Sequence, residues 1–142
     1  DLGAYELGTS TGTTVPIGKI IGWKALNNDR FVSTNLNNSN YLQAGWATSI
    51  GSWERYRVVD AGGGKIALLS LNNNRYVSCN LNNSNYIQAG WATTIGAWEK
   101  FTWIDRGSGK FALLADNNAR YISNNLNASQ TLQAFSTSIG TW

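Results

Sequence analysis

The sequence predicts an all-β domain built from three copies of one unit. Within its 142 residues an Asn-Leu-Asn motif begins at Asn35, Asn80 and Asn125, a constant step of 45 residues. The apolar runs are rich in β-branched and aromatic residues and lack sustained helical periodicity, which favours strands. Repeats at about 18–62, 63–107 and 108–142 account for most of the chain. We therefore expect residues 1–142 to form one domain made by triplication.

Each unit is expected to contain four short strands separated by turns. In the second copy the predicted strands are residues 65–71, 75–79, 86–89 and 98–104. The Asn-rich segments between them read as turns, because Asn tolerates left-handed backbone and forms Asx turns. The pattern predicts about twelve strands in total.

The N-terminal segment is expected to close the domain. The third copy ends at Trp142, where the other copies continue into a fourth strand. Residues 2–7 have the length and apolar content to fill that place beside the last residues, with residues 9–16 as the connector. Such closure removes exposed strand edges and explains why three units stop at a closed body.

Charge and composition exclude some classes of function. Eleven basic residues against eight acidic ones give a net charge of +3, but they are spread singly, which argues against nucleic acid binding. No apolar stretch reaches the length of a membrane helix, so no membrane partner is expected. The low charged fraction of 13% and the seven tryptophans are typical of an exported binding domain. We expect a secreted, extracellular monomer.

An enzyme is not expected. The chain has no histidine, which removes the usual general base and most metal sites, so we expect no metal and no cofactor. The recurrent acids are Glu54 with Glu99 and Asp60 with Asp105, and the two aspartates precede glycine-containing turns. Cys79 is the single cysteine and stands where the other copies have polar residues, so it indicates a tolerant polar position and not a reactive thiol.

Most tryptophans are expected to pack. Trp53, Trp98 and Trp142 occur in every copy after an Ile-Gly-x sequence, which favours a core or cap role. Trp23 and Trp103 align with aliphatic residues of the other copies and are predicted to lie in strand interiors.

Trp46 and Trp91 differ from the other tryptophans. Both lie in a polar Gly-x-Ala-Thr segment after the third strand of their copy. The third copy has Phe135 there and is one residue shorter. A large apolar ring in a polar loop, altered in one copy, favours binding over local loop packing.

Three motifs carry a family resemblance. They are Arg-Tyr-Val-Ser at 75–78, Ile-Gly-x-Trp-Glu-x-aromatic beginning at Ile50 and Ile95, and Gln-Ala-Gly-Trp-Ala-Thr at 43–48 and 88–93. Over nearly the whole chain they resemble the fascin-like branch of the β-trefoil fold, most nearly carbohydrate-binding module family ninety-two, whose members bind β-linked glucans. The resemblance implies a six-stranded barrel capped by three hairpins, with up to three equivalent sites around a pseudo-threefold axis.

The expected carbohydrate sites combine a tryptophan with polar partners. An indole covers the apolar face of a pyranose, and polar groups take its hydroxyl rim. Glu54 beside Trp46 and Glu99 beside Trp91 are the expected carboxylate acceptors, with the alternative that each Glu ties down its own turn. The remaining expected contacts are those of Gln43 and Gln88, whereas a structural role is favoured for the residues shared by all copies, Arg30, Arg75 and Arg120.

A third site is expected to be weaker. Phe135 replaces Gly-Trp there, Gln133 takes the place of the earlier glutamines, and Glu6 would have to lend a carboxylate from the other end of the chain. Two working sites are therefore predicted. The leading function is a noncatalytic carbohydrate-binding module that binds polysaccharide, specifically β-glucan, and targets an attached enzyme. The alternative is a fascin-like trefoil that binds a cytoskeletal or other protein.

Overall fold

The computed structural model describes the backbone of residues 2–6 with the Leu2 side chain, and residues 15–139 completely. These residues form twelve strands and two short 3₁₀ turns, and they contain no α-helix. The strands are β1 (Leu2–Glu6), β2 (Ile20–Ala25), β3 (Arg30–Asn35), β4 (Tyr41–Ala47), β5 (Tyr56–Gly62), β6 (Lys65–Ser70), β7 (Arg75–Asn80), β8 (Tyr86–Ala92), β9 (Phe101–Gly107), β10 (Lys110–Ala115), β11 (Arg120–Asn125) and β12 (Thr131–Ser136).

Three strand boundaries differ from the sequence prediction by three residues, one of them the end of the fourth strand, predicted at residue 104 and found at Gly107. The predicted fourth strand of the second copy began at Trp98, but Ala97–Glu99 is a 3₁₀ turn and the strand begins at Phe101. The predicted third strand ended at residue 89, but β8 continues to Ala92. Trp91 therefore lies within a strand and not in a loop that follows it.

Six strands close into a ring. The pairings run β1 with β2, β2 with β5, β5 with β6, β6 with β9, β9 with β10, and β10 with β1. The N-terminal strand pairs along its length with β2, from Leu2 opposite Ala25 to Glu6 opposite Ile21. At its beginning it also pairs with β10. Its partners are thus the first strands of repeats one and three, while residues 140–142 lie outside the described residues. Because β1 pairs with both β2 and β10, the ring is closed and none of its six strands is an edge strand.

The remaining six strands form three hairpins, β3–β4, β7–β8 and β11–β12. Their second strands, β4, β8 and β12, pair with one another in a cycle. Three equivalent backbone hydrogen bonds support that cycle, from Ala44 N to Gln130 O (2.9 Å), Ala89 N to Asn40 O (3.0 Å) and Ala134 N to Asn85 O (3.0 Å). Each hairpin is therefore tied to a neighbouring repeat, which gives the cap its pseudo-threefold arrangement.

The Asn-rich segments are the hairpin turns, as the sequence predicts. Each contains two successive residues with positive φ: Ser39 and Asn40 in the first repeat, with the equivalent pairs 84–85 and 129–130 in the others. Asn35 Oδ1 accepts the backbone N–H of Asn37 at 3.0 Å, an Asx turn that recurs in the second and third repeats.

The core lies inside the ring and under the cap. Trp23 is fully buried and meets Tyr56 edge-on, with ring centroids 5.8 Å apart, which confirms its assignment to a strand interior. Trp103 is half-buried and stacks on Phe111 at 3.8 Å. Cys79 is also fully buried. Burial raises the pKa of its thiol to about 11, so the group stays protonated at neutral pH, as expected of an unreactive thiol.

No helix in the described part of the chain is long and apolar enough to cross a membrane.

Candidate functional site

Exposed apolar side chains recur in the same places of the three repeats. Trp46, Trp91 and Phe135 are 47%, 44% and 42% exposed. Trp53 and Trp98, by contrast, are half-buried in the 3₁₀ turns, and Trp142 lies outside the described residues. Large aromatic side chains are usually buried, so three exposed ones at equivalent positions indicate a surface that is kept for contact with something else.

Each of these three aromatics lies in a β-bulge. In the first repeat residues 44–46 of β4 lie opposite the single residue Val32 of β3. The second repeat repeats this arrangement, with residues 89–91 opposite Val77. In the third repeat Phe135 is the one extra residue of the bulge. A bulge interrupts strand alternation and re-aims a side chain, which allows an aromatic to face solvent at a strand that otherwise packs inward.

Glu54 is part of the protein interior and not of the exposed surface. Its side chain is only 7% exposed. One carboxylate oxygen accepts the hydroxyl of Ser33, and the other accepts the backbone N–H of Gly51 at 2.9 Å. The carboxylate thus fastens the 3₁₀ turn Ser52–Glu54 to β3.

Glu99 makes the same contacts in the second repeat. It is 6% exposed, accepts the hydroxyl of Ser78 at 2.5 Å and accepts the backbone N–H of Gly96 at 2.9 Å. Both glutamates therefore tie down their own turns, which is one of the two roles that the sequence favoured equally. These contacts use two of the roughly four acceptor positions of a carboxylate, and the expected bond to a sugar hydroxyl stays a prediction.

Gln43 is also used internally. It is 4% exposed, accepts a hydrogen bond from Asn35 Nδ2 at 2.7 Å, and donates to Ser129 O at 3.1 Å and Thr131 Oγ1 at 3.2 Å. Its amide joins the first repeat to the third.

The other two glutamines close the same cycle. Gln88 donates to Ser39 O at 3.0 Å, and Gln133 donates to Ser84 O at 2.9 Å. Each also accepts from the asparagine that opens the Asn-rich segment of its own repeat. These three amides hold adjacent repeats together in the cap, and the expectation that they also reach a sugar stays a prediction.

The third repeat differs locally from the other two. Ser123, which corresponds to Ser33 and Ser78, bonds to the hydroxyl of Ser136 at 2.6 Å instead of to a glutamate. The side chain of Glu6, expected to complete this site, lies outside the described residues, although its backbone belongs to β1.

A cleft opens between the first and third repeats at Gly45, the residue that precedes Trp46. It has a volume of about 330 Å³ and is lined by Asn28, Arg30, Gly45, Leu126 and Gln130. Gly45 precedes Trp46 directly, and a Cβ at Gly45 would lie 3.0 Å from Gln130 Oε1. The glycine thus permits the turn of the third repeat to approach β4 closely.

Arg30 is held in a fixed position at this cleft. Its Nη1 donates to Asn28 O at 3.4 Å and Asp29 O at 3.3 Å, and Arg75 makes the equivalent pair of bonds in the second repeat. This agrees with the structural role expected for these arginines. The Asp29 carboxylate pairs with Lys24 at 3.1 Å, so it does not neutralise the guanidinium.

Sequence analysis missed one set of residues at this surface. Leu36, Leu81 and Leu126 are 40%, 38% and 38% exposed. Each is the leucine of an Asn-Leu-Asn motif, and its step of 45 residues was visible in the sequence. The recurrence of a leucine inside a polar turn is the sequence signal that could have identified these three exposed residues.

The surface combines exposed apolar rings with polar turns. Within the described residues, no group of three or more His, Cys, Asp or Glu side chains is placed to hold a metal ion. The exposed aromatics offer apolar platforms, and the surrounding turns offer N–H donors and amides. Such a combination offers both apolar contact area and hydrogen-bonding groups to a ligand.

The fold is similar to that of several solved proteins. The designed threefold-symmetric protein ThreeFoil has a TM-score of 0.72 at 14% identity, over 86% of this chain and 92% of that one. The agglutinin of Rhizoctonia solani has a TM-score of 0.69 at 12% identity, over 92% and 94% of the two chains. The exo-β-1,3-galactanase 1,3Gal43A from Clostridium thermocellum has a TM-score of 0.70 at 14% identity, over 83% of this chain and 27% of that one.

No family model matches the sequence. No curated protein matches it either. With its closed six-stranded ring, three capping hairpins and these structural similarities, the chain is an all-β protein of the β-trefoil fold.

Proposed function

We propose that the protein is a noncatalytic carbohydrate-binding module that binds polysaccharide through Trp46 and Trp91. The observation that carries the proposal is the placement of exposed aromatics in equivalent bulges of all three repeats. A pyranose stacks its C–H face on such a ring and loses little of its hydroxyl hydration, so platforms of this kind suit sugars.

The polysaccharide we propose is a β-glucan. The support is the Gln-Ala-Gly-Trp-Ala-Thr motif at 43–48 and 88–93, which resembles modules that bind β-linked glucans. That an agglutinin and a galactanase contain the same fold is in keeping with a sugar-binding role. The module would act as a secreted monomer and would target an attached enzyme to its substrate.

Binding is expected to be stronger at the first two sites than at the third. Trp46 and Trp91 carry indoles, whereas Phe135 offers a smaller ring in a bulge that is one residue shorter. A single weak site binds a polymer hardly better than a short sugar. Two sites on one protein chain can bind the same polymer, and the first contact then raises the effective concentration for the second.

Affinity electrophoresis tests the proposal. The protein would be run through native gels that contain soluble β-glucan, soluble α-glucan or no polysaccharide. We expect retardation by β-glucan, and its loss in the double variant Trp46→Ala/Trp91→Ala. Ile17→Ala is the matched control, because Ile17 is 49% exposed but belongs to neither bulge. Equal mobility of wild type in all gels would contradict the proposal.

The alternative function, a trefoil that binds a cytoskeletal protein, is tested in parallel. Co-sedimentation with actin filaments at physiological salt would support it, provided that the same filaments do not sediment the double tryptophan variant.

A further inference from the structure

We infer that each sugar site is shared between two repeats, with the tryptophan of one repeat completed by the turn of its neighbour. For the first site this assigns Leu126 and Gln130 of the third repeat, together with Arg30, to the cleft at Gly45 that adjoins Trp46 in the chain. The occupant is two adjacent sugar units of a polysaccharide, and the inference rests on the function proposed above.

The cleft at Gly45 provides the geometric basis. Its lining comes from the first repeat on one side and from Leu126 and Gln130 on the other. Its volume of about 330 Å³ falls at the lower end of the ~300–1,000 Å³ that small-molecule sites occupy. A Cβ at Gly45 would lie 3.0 Å from Gln130 Oε1, so this glycine lets the turn of the third repeat approach the residue next to Trp46.

The same set of residues recurs at the other two repeat boundaries. Among the described residues seven large apolar side chains are exposed, and six of them are the three bulge aromatics and the three turn leucines. By sequence equivalence the second site would combine Trp91, Arg75 and Gly90 with Leu36 and Asn40, and the third would combine Phe135 and Arg120 with Leu81 and Asn85. An exposed leucine and an exposed aromatic thus occur together in all three repeats, which argues against chance exposure of the leucines.

The polar groups of the cleft replace the glutamates and glutamines that are used internally. In the described structure Arg30 uses only Nη1 for protein contacts, which leaves Nη2 and Nε as donors. Among the described residues the side-chain amide of Gln130 makes no hydrogen bond, and it can donate and accept. Asn28, in contrast, donates to Ala44 O at 2.6 Å and is structural. Hydroxyls of the second sugar unit can therefore bond to Arg30 and Gln130 while its ring contacts Leu126.

The test uses variants that each retain one strong site. Trp91→Ala/Phe135→Ala leaves the Trp46 site, and Trp46→Ala/Phe135→Ala leaves the Trp91 site. Leu126→Asn and Leu36→Asn, which keep the number of side-chain heavy atoms and the branching at Cγ but replace the methyl groups by polar atoms, are added separately to both. Affinity for a tetrasaccharide of β-linked glucose is measured by calorimetry, and thermal unfolding confirms that each variant is folded.

We expect Leu126→Asn to weaken binding about 3- to 10-fold where only the Trp46 site remains, and to have no effect where only the Trp91 site remains. Leu36→Asn should show the reverse. Gln130→Gly and Asn40→Gly form a second matched pair, which tests the polar contacts in the same two backgrounds. Glycine is tolerated at both positions, because each has a φ of 57°. Leucine variants that act in both backgrounds, or in neither, would overturn the shared site while leaving the proposed function intact. Failure of the wild type and of both backgrounds to bind the sugar would overturn the proposed function itself.

Discussion

The hydroxyl of Ser78 donates a hydrogen bond to the carboxylate of Glu99, 21 residues later in the chain. The same carboxylate accepts the N–H of Gly96, so one buried side chain fixes both the 3₁₀ turn and its distance from β7. This pair, together with Ser33 and Glu54, accounts for the recurrent Trp-Glu motif without a ligand.

Replacement of Glu99 should therefore affect stability more than binding. In Glu99→Gln the amide oxygen can still accept the Gly96 N–H and the NH₂ group meets the Ser78 hydroxyl, so two charge-assisted hydrogen bonds are replaced by weaker neutral ones. We expect the free energy of unfolding to fall by about 1–3 kcal/mol. Urea denaturation measures the change, and calorimetry with gluco-oligosaccharide should give an affinity within about twofold of wild type. A normal unfolding curve with lost sugar affinity would instead place Glu99 in contact with the sugar.

The side-chain amide of Gln43 should contribute more to the free energy of unfolding than the equivalent amide of Gln133 in the third repeat. Gln43→Leu would remove three hydrogen bonds and leave Asn35 Nδ2 and Ser129 O without their partner. Because the side chain is 4% exposed, we expect a loss of about 2–4 kcal/mol in the free energy of unfolding. Gln133 is more exposed, so Gln133→Leu should cost less in the same denaturant series. An equal or larger loss for Gln133→Leu would contradict this ranking.

Ala119 occupies a backbone conformation that suits other residues better. Its φ is 54°, and the equivalent positions carry Asp29 and Asn74 at φ values of 61° and 59°. Asn tolerates the left-handed region, whereas Ala is strained there. Ala119→Asn should raise the free energy of unfolding by about 0.5–1 kcal/mol, and Asn74→Ala should lower it by a similar amount. Thermal unfolding of both variants checks the pair, and two changes of the same sign would refute it.

Cys79 should make the protein less stable at alkaline pH. Burial raises the pKa of the thiol from 9.0 to about 11, an effect partly offset by the hydrogen bond with Asn117. Above about pH 9 the unfolded thiol ionises while the folded one keeps its proton, so the contribution to stability is intact below that pH and lost as pH rises through 11.

The matched variant for this effect is Cys79→Ala, which has no thiol to ionise. The stability advantage of wild type over Cys79→Ala should shrink by up to about 3 kcal/mol between about pH 8 and pH 11. Urea unfolding across that range gives both profiles, and parallel profiles would show that the thiol does not titrate in this way.

The repeat and its turn chemistry made the fold predictable from the sequence. The Asn-rich segments mark the turns, and the spacing of the motifs gives the pseudo-threefold arrangement. The bulges were not predictable, because the extra residues 44–46 and 89–91 show only when the pairing register is known. The sequence therefore located Trp46 and Trp91 but placed them in loops.

The polar part of the site was harder to predict than the aromatic part. Glu54 lies eight residues from Trp46 in the sequence, which suggested a shared pocket, but its partners are Ser33 and Gly51. Sequence distance gave no information about a buried acceptor bonded across strands. That Leu126 lines the cleft at Gly45 was equally hidden, because Leu126 belongs to the third repeat and Gly45 to the first.

The measurement that tests the account most directly compares the wild type, Trp46→Ala, Trp91→Ala and the double variant on long β-glucan and on a short oligosaccharide. If two tryptophan sites act together on one polymer, each single variant should lose much more than half of the polymer retention, because effective concentration is lost. The remaining site should keep its oligosaccharide affinity, and the double variant should retain no polymer. Normal binding by the double variant, or three equal sites per chain in a titration of the wild type, would contradict the account.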